Sequence, residues 1–72
     1  METISPTRYF LCLEVGDYPV SLEARKVYRS LEDPVAEGRG FRRIVDESGE
    51  DYLYPASLFV PIEVPREAEQ AF

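Results

Sequence analysis

Four carboxylates crowd into the six residues Asp46-Glu47-Ser48-Gly49-Glu50-Asp51, and six of the eight basic residues, Arg25, Lys26, Arg29, Arg39, Arg42 and Arg43, fall between positions 25 and 43. These are the two groupings with chemistry to offer. Carboxylates so close together suit a hard cation, or general acid–base work where a cleft shifts their pKa values. The run lacks the ligand register of a calcium loop, and its composition is that of a solvated turn, which shifts no pKa. The basic residues, if carried on neighbouring strands, would form a local positive surface for an anionic partner such as structured RNA. Paired across strands with Glu23, Glu32, Asp46, Glu47 and Asp51, they would only neutralise one another.

The remaining nucleophiles lack companions. The chain has no histidine, so Ser48 and Ser57 cannot enter a Ser-His arrangement, and Cys12 has neither a Cys-His pair nor a zinc site of the usual type available. A single cysteine in a strand-like run reads as a small buried hydrophobe, and it fits a reducing, cytoplasmic location. The reading is of a protein that is not an enzyme and takes no cofactor or metal. Fourteen acidic residues against eight basic give a net charge of −6, which opposes general affinity for a phosphate backbone. Residues 1–8 show no secretory pattern, and no apolar run approaches the about 20 residues of a membrane-spanning helix.

The elements that position these groups follow from period and punctuation. A 72-residue chain is one domain with a small core, so self-association stays open as a source of added stability. Residues 1–8 read as a flexible leader. Tyr9 to Val15 alternates as a strand, with Tyr9, Leu11, Leu13 and Val15 on the predicted core face and Phe10, Cys12 and Glu14 opposite. Gly16-Asp17-Tyr18-Pro19 breaks it and opens a long loop in which Val20 and Leu22 offer an anchor. Residues 21–31 partly fit a helical period, but a strand over Arg25 to Glu32, with Val27 and Leu31 inward, is preferred. Asp33-Pro34 starts a single helical turn, Pro34 to Glu37, that Gly38 or Gly40 ends and that reads as part of a connection, not as a helix that packs. Phe41 to Asp46 and Asp51 to Tyr54 form a hairpin around the acidic turn. Pro55 closes it, Ala56 to Phe59 suits a 3₁₀ turn, and Val60 to Val64, carrying Pro61, is an edge strand. Residues 65–72 are a short charged tail with helical propensity.

A first strand, a long loop, a three-strand meander, a 3₁₀ turn after a proline and a closing strand resemble the order of SH3-like small barrels. The nearest local match is Tyr52-Leu53-Tyr54-Pro55-Ala56-Ser57-Leu58-Phe59, similar to the strand, proline and 3₁₀ segment near the end of SH3 domains. The chain also resembles a group of short bacterial proteins sharing the initial strand, the Val27-Tyr28 region and the run from Asp46 to Pro55. The resemblance implies a mainly β fold: an SH3-like small barrel of about five antiparallel strands over residues 9–64. SH3 domains that bind proline-rich peptides carry aromatic residues where this chain has Leu13, Val15, Phe41 and Leu58, so a groove of that type is largely missing. Tyr18, Tyr52 and Tyr54 offer a different aromatic surface, although strand tyrosines are more often half-buried packing residues. The expected function is a non-enzymatic protein-binding or regulatory module, with Tyr18, Arg39, Arg42 and Arg43 as candidate contacts. RNA binding through residues 25–43 is the alternative.

Overall fold

Strand-forming Tyr, Phe, Val and Ile residues separated by Gly, Pro and acidic turns give five short strands and little helix. The structure, a computed structural model, describes residues 8–69. The elements are β1 (Arg8–Cys12), β2 (Val27–Leu31), α1 (Pro34–Gly38), β3 (Phe41–Val45), β4 (Asp51–Pro55), a 3₁₀ turn (Ala56–Leu58), β5 (Phe59–Ile62) and α2 (Arg66–Glu69). All pairings are antiparallel, in the order β4-β3-β2-β1-β5, which is the strand order of an SH3-like small barrel. The 3₁₀ turn carries the chain from one end of the sheet to the other, where the Tyr54 ring on β4 comes within 6.2 Å of the Phe59 ring on β5. The sheet thereby curls around one core of Phe10, Cys12, Leu22, Tyr28, Ile44, Tyr54, Leu58 and Phe59.

Two strands face the other way from the expected alternation. On β1 it is Phe10 and Cys12 that enter the core, while Leu13 is half exposed. β1 ends at Cys12, and Leu13 instead donates its N–H to the Leu58 carbonyl (2.7 Å), so an alternation counted through Val15 runs past the real strand. Tyr9 is buried as well, and a strand covered on both faces carries no alternating signal. On β2 the inward residues are Tyr28 and Ser30, and Leu31 is exposed. The phase is set by a bulge, in which Arg25 N–H donates to Cys12 O (2.7 Å) while Cys12 N–H donates to Lys26 O (2.9 Å), so two residues oppose one. Arg25 occupies the left-handed position of that bulge, φ 68°, where glycine is the usual residue. The helical alternative for residues 21–31 is replaced by this bulge and β2. Of the two loop anchors, Leu22 is buried and Val20 is exposed.

Local signals elsewhere match. Asp33 caps α1 by accepting from Ala36 N–H (3.1 Å), Pro34 occupies the first turn, and the Glu37 carboxylate accepts the Asp33 N–H (3.2 Å). The helix also packs, burying Ala36 against the barrel. Arg8, placed by sequence at the end of a leader, opens β1 and pairs with Glu37 (3.3 Å). The tail forms one helical turn at α2; residues 1–7, Ala71 and Phe72 lie outside the described residues.

Hydrogen-bond parity fixes what the sheet edges present. Ala56 N–H donates to Gly40 O and Asp46 N–H to Glu50 O, so the even residues of β4 bond to β3, and Asp51, Leu53 and Pro55 direct their main chain to the free edge. The Leu13 to Leu58 bond likewise sends the main chain of Phe59 and Pro61 outward from β5. Pro55 and Pro61 have no N–H, and that of Phe59 bonds Ala56 O within the 3₁₀ turn. Each edge therefore carries a proline at an outward position, where it costs the ladder nothing and blocks a further strand.

Candidate functional site

Adjacent residues on a strand point to opposite faces, so Arg42 and Arg43 cannot line one surface. Arg42 donates to Phe41 O (2.9 Å), and its guanidinium lies 5.6 Å from the centre of the Phe10 ring. Arg43 bridges Asp33 (2.8 Å) and Asp51 (3.0 Å). Arg39 caps the end of α1, donating its N–H to Ala36 O, with its side chain exposed. Lys26 pairs with Glu47 at 2.7 Å. Among the described residues of this segment, Arg25, Arg29, Arg39 and Arg42 keep side chains without an ion-pair partner. The basic segment is thus divided between faces, and two of its six cations, Lys26 and Arg43, are neutralised by ion pairs.

The acidic turn is divided too. Asp46 Oδ2 accepts the Tyr54 hydroxyl (2.5 Å), and its Oδ1 accepts both the N–H (2.8 Å) and hydroxyl (2.6 Å) of Ser48. Glu47 accepts the Tyr28 hydroxyl (2.5 Å), Glu50 the Tyr52 hydroxyl (2.9 Å) and Asp51 the Arg43 guanidinium. Gly49, φ 86°, supplies the left-handed residue that closes the turn. Burial works to raise the Asp46 pKa, but the bonds from Ser48 and Tyr54 outweigh it and hold the carboxyl below its ordinary value. Lys26 first and Tyr28 second do the same for Glu47. Four carboxylates that read as a cluster in sequence have separate partners in space. Among the described residues no three His, Cys, Asp or Glu side chains gather as metal ligands.

Burial raises the pKa of both inward tyrosines, reinforced by their carboxylate partners; that of Tyr54 is pushed up to about 12. Both phenols stay protonated at neutral pH and serve as donors. Cys12 is fully buried, its thiol donates to Glu14 O (3.3 Å), and burial raises its pKa. It has the environment of an inert core thiol.

Tyr18, the remaining sequence candidate, stands on this framework. Its ring meets Tyr54 edge-on, 4.9 Å between centres, and its carbonyl accepts the N–H groups of Ser21 (3.2 Å) and Leu22 (3.0 Å). The loop is anchored by Leu22 in the core, and Gly16 (φ 56°) lies against the Leu58 side chain, where an added Cβ would stand only 3.3 Å from Leu58 Cδ2. The result is an open groove of about 300 Å³ lined by Tyr18, Ser21, Tyr52, Leu53 and Tyr54. It runs beside the free edge of β4, where the main chain of Leu53 points outward. Tyr18, Tyr52 and Leu53 are 37%, 50% and 43% exposed, a larger apolar share than a solvated strand end requires. Sequence reasoning named an aromatic surface of Tyr18, Tyr52 and Tyr54 but preferred packing roles for the strand tyrosines; the structure brings all three to one groove, with Tyr54 buried as packing and Tyr18 and Tyr52 partly exposed.

Compared with known proteins, the chain matches no family model, no curated protein and no solved structure.

Proposed function

We propose that the protein is a non-enzymatic protein-binding module that engages its partner through the tyrosine groove. The observation that carries this reading is the half-exposed Tyr18 ring seated on buried Tyr54, which is itself hydrogen-bonded to buried Asp46. An aromatic side chain held in place before binding loses little conformational entropy on contact, the usual property of an interface anchor. Asp17 beside Tyr18 and Glu50 on the Tyr52 hydroxyl make the rim acidic, so the partner segment is expected to bring an apolar side chain flanked by a cation. A surface this small suits a transient complex. The unpaired Cys12 accords with a reducing compartment and a cytoplasmic role. Among the described residues no helix is long and apolar enough to cross a membrane.

RNA binding through residues 25–43 has weaker support, since Lys26 and Arg43 are already paired and Arg42 and Arg43 lie on opposite faces. The test is affinity capture from bacterial lysate by the wild type, a Tyr18→Ala/Tyr52→Ala variant and an Arg42→Glu/Arg43→Glu variant. A protein held by the wild type, lost by the tyrosine variant and kept by the arginine variant supports the groove. Equal capture by all three would overturn it, and capture of RNA lost only with the arginines would favour the alternative.

A further inference from the structure

β2 and β3 separate before they end. Their paired residues are only Ser30 with Ile44 and Leu31 with Arg43, although β2 begins at Val27 and β3 runs to Val45. Continued in that register, the ladder would set Val27 opposite Glu47. Glu47 N–H donates instead to Ser21 O (3.1 Å), across the loop. The two strands are drawn apart, and a cleft of about 300 Å³ opens between them, with Val27, Arg29, Val45, Glu47 and Gly49 among its walls.

Parity identifies what the cleft offers. Cys12 bonds Lys26, so the even residues of β2 face β1, and the main chain of Val27 is directed toward β3. Its natural partner, Glu47, is engaged elsewhere, its N–H bonding Ser21, and the β2–β3 pairing stops at Ser30 with Ile44, short of Val27. Arg29, two residues on and exposed, has none for its guanidinium. Val27 and Val45, both partly buried, supply apolar walls. Two carboxylates border the space, but Glu47 is held by Lys26 and Tyr28, and Asp46 by Tyr54 and Ser48. Lys26 and Glu47 neutralise one another, and of the two remaining charges, Asp46 and Arg29, the Asp46 oxygens are already hydrogen-bonded while the Arg29 guanidinium keeps its donors free.

We infer that this cleft is a second binding site, independent of the tyrosine groove, for a carboxylate attached to a short aliphatic group. The carboxylate lies between the Val27 N–H and the Arg29 guanidinium, and the aliphatic part between Val27 and Val45. The arrangement is that of carboxylate capture, one main-chain donor with one planar cation. Such a group is found at the end of a polypeptide or on a free small acid, and the cleft reads the chemistry they share.

Titration of the ¹⁵N-labelled protein with acetylvaline, acetylvalinamide and acetyl-Ala-Ala-Val, followed by amide chemical shifts, tests this. Acetylvaline is expected to move the Val27, Arg29 and Gly49 signals with a dissociation constant on the order of 1 mM, while the neutral amide leaves them in place. Tighter binding of the tripeptide would identify a chain end as the ligand, and equal binding a free acid. Arg29→Gln, at an exposed residue with no partner to lose, keeps the fold and is expected to weaken acetylvaline at least about tenfold, the size of one charge-assisted hydrogen bond. Equal responses to acid and amide, insensitivity to Arg29→Gln, shifts confined to Tyr18 and Tyr52, or no shift at about 20 mM, well above that affinity range, would each overturn the proposal.

Discussion

Tyr54 donates to Asp46 and Tyr28 donates to Glu47, two phenol-to-carboxylate bonds made to adjacent residues of one turn from the strands on either side of β3. Asp46 is buried, accepts two further bonds from Ser48, and has a donor ring packed between Tyr18 and Phe59. Glu47 keeps a third of its side chain in solvent and shares it with Lys26, while the Tyr28 hydroxyl also accepts the Glu23 N–H (2.8 Å). The same pair of groups behaves differently according to the water around it. Where solvent is excluded the bond fixes the fold, because a lost partner leaves a polar atom buried and unsatisfied. Where solvent reaches, water replaces whichever partner is removed.

The comparison is broken most severely by Asp46→Ala. Tyr54 and the Ser48 N–H would lose their acceptor together, at an expected cost of about 3 kcal/mol. For a domain this small that is a large part of a total stability of roughly 5 kcal/mol, and urea denaturation should show a midpoint reduced by more than half. Tyr28→Phe should cost about 1 kcal/mol, since Lys26 and water still serve Glu47. A loss equal to that of Asp46→Ala would show that the two sites are not differentiated by solvent. Arg25→Gly sharpens the contrast from the other direction, because it changes backbone strain and no side-chain bond. Relief of the left-handed arginine, less the extra chain entropy of glycine, should raise stability by about 0.5–1 kcal/mol.

The smallest effect is expected near neutrality. The Asp46 and Glu47 carboxyls are depressed in the folded state, so the stability they confer is fully present above the unfolded carboxylate range and is lost as pH falls through their folded pKa values. Stability should therefore be flat from about pH 7 to 5 and decline below roughly pH 4. The decline should be shallower in Tyr28→Phe, whose Glu47 has lost one of the two bonds that depress it. The Tyr54 phenol, raised to about 12, contributes in the opposite sense: its share is present below the unfolded tyrosine value and is lost as pH rises through 12. A denaturant midpoint that varied across the neutral range would show that some other group controls the turn.

What sequence made legible was whatever is encoded within a few residues. Asp33-Pro34 announced α1, Gly49 and its acidic neighbours the hairpin turn, Pro55 the end of β4 and Pro61 the edge position of β5. The order of elements along the chain followed from the spacing of these signals, while their arrangement in one five-stranded sheet was expected only from the resemblance to small barrels. The faces of β1 and β2 did not, because a central strand buried on both sides looks uniformly apolar and because a bulge with arginine at its left-handed position has no glycine to reveal it. Placing Tyr28 inward requires an acceptor for its hydroxyl, and that acceptor is Glu47, 19 residues away. Of the candidate contacts, Tyr18 was accessible as an aromatic residue in a loop. The separation of Arg42 from Arg43 was implicit in strand geometry, yet a cluster counted along the chain conceals it.

The prolines at positions 55 and 61 bear on how such a protein behaves in a crowded cell. With a proline at an outward position on each margin of the sheet, strand-by-strand growth between neighbouring copies is opposed at Pro55 and Pro61. At the proposed groove, contact is left to side chains and to the open main chain at Asp51 and Leu53, so side-chain substitutions there leave the proline-guarded positions of the sheet intact.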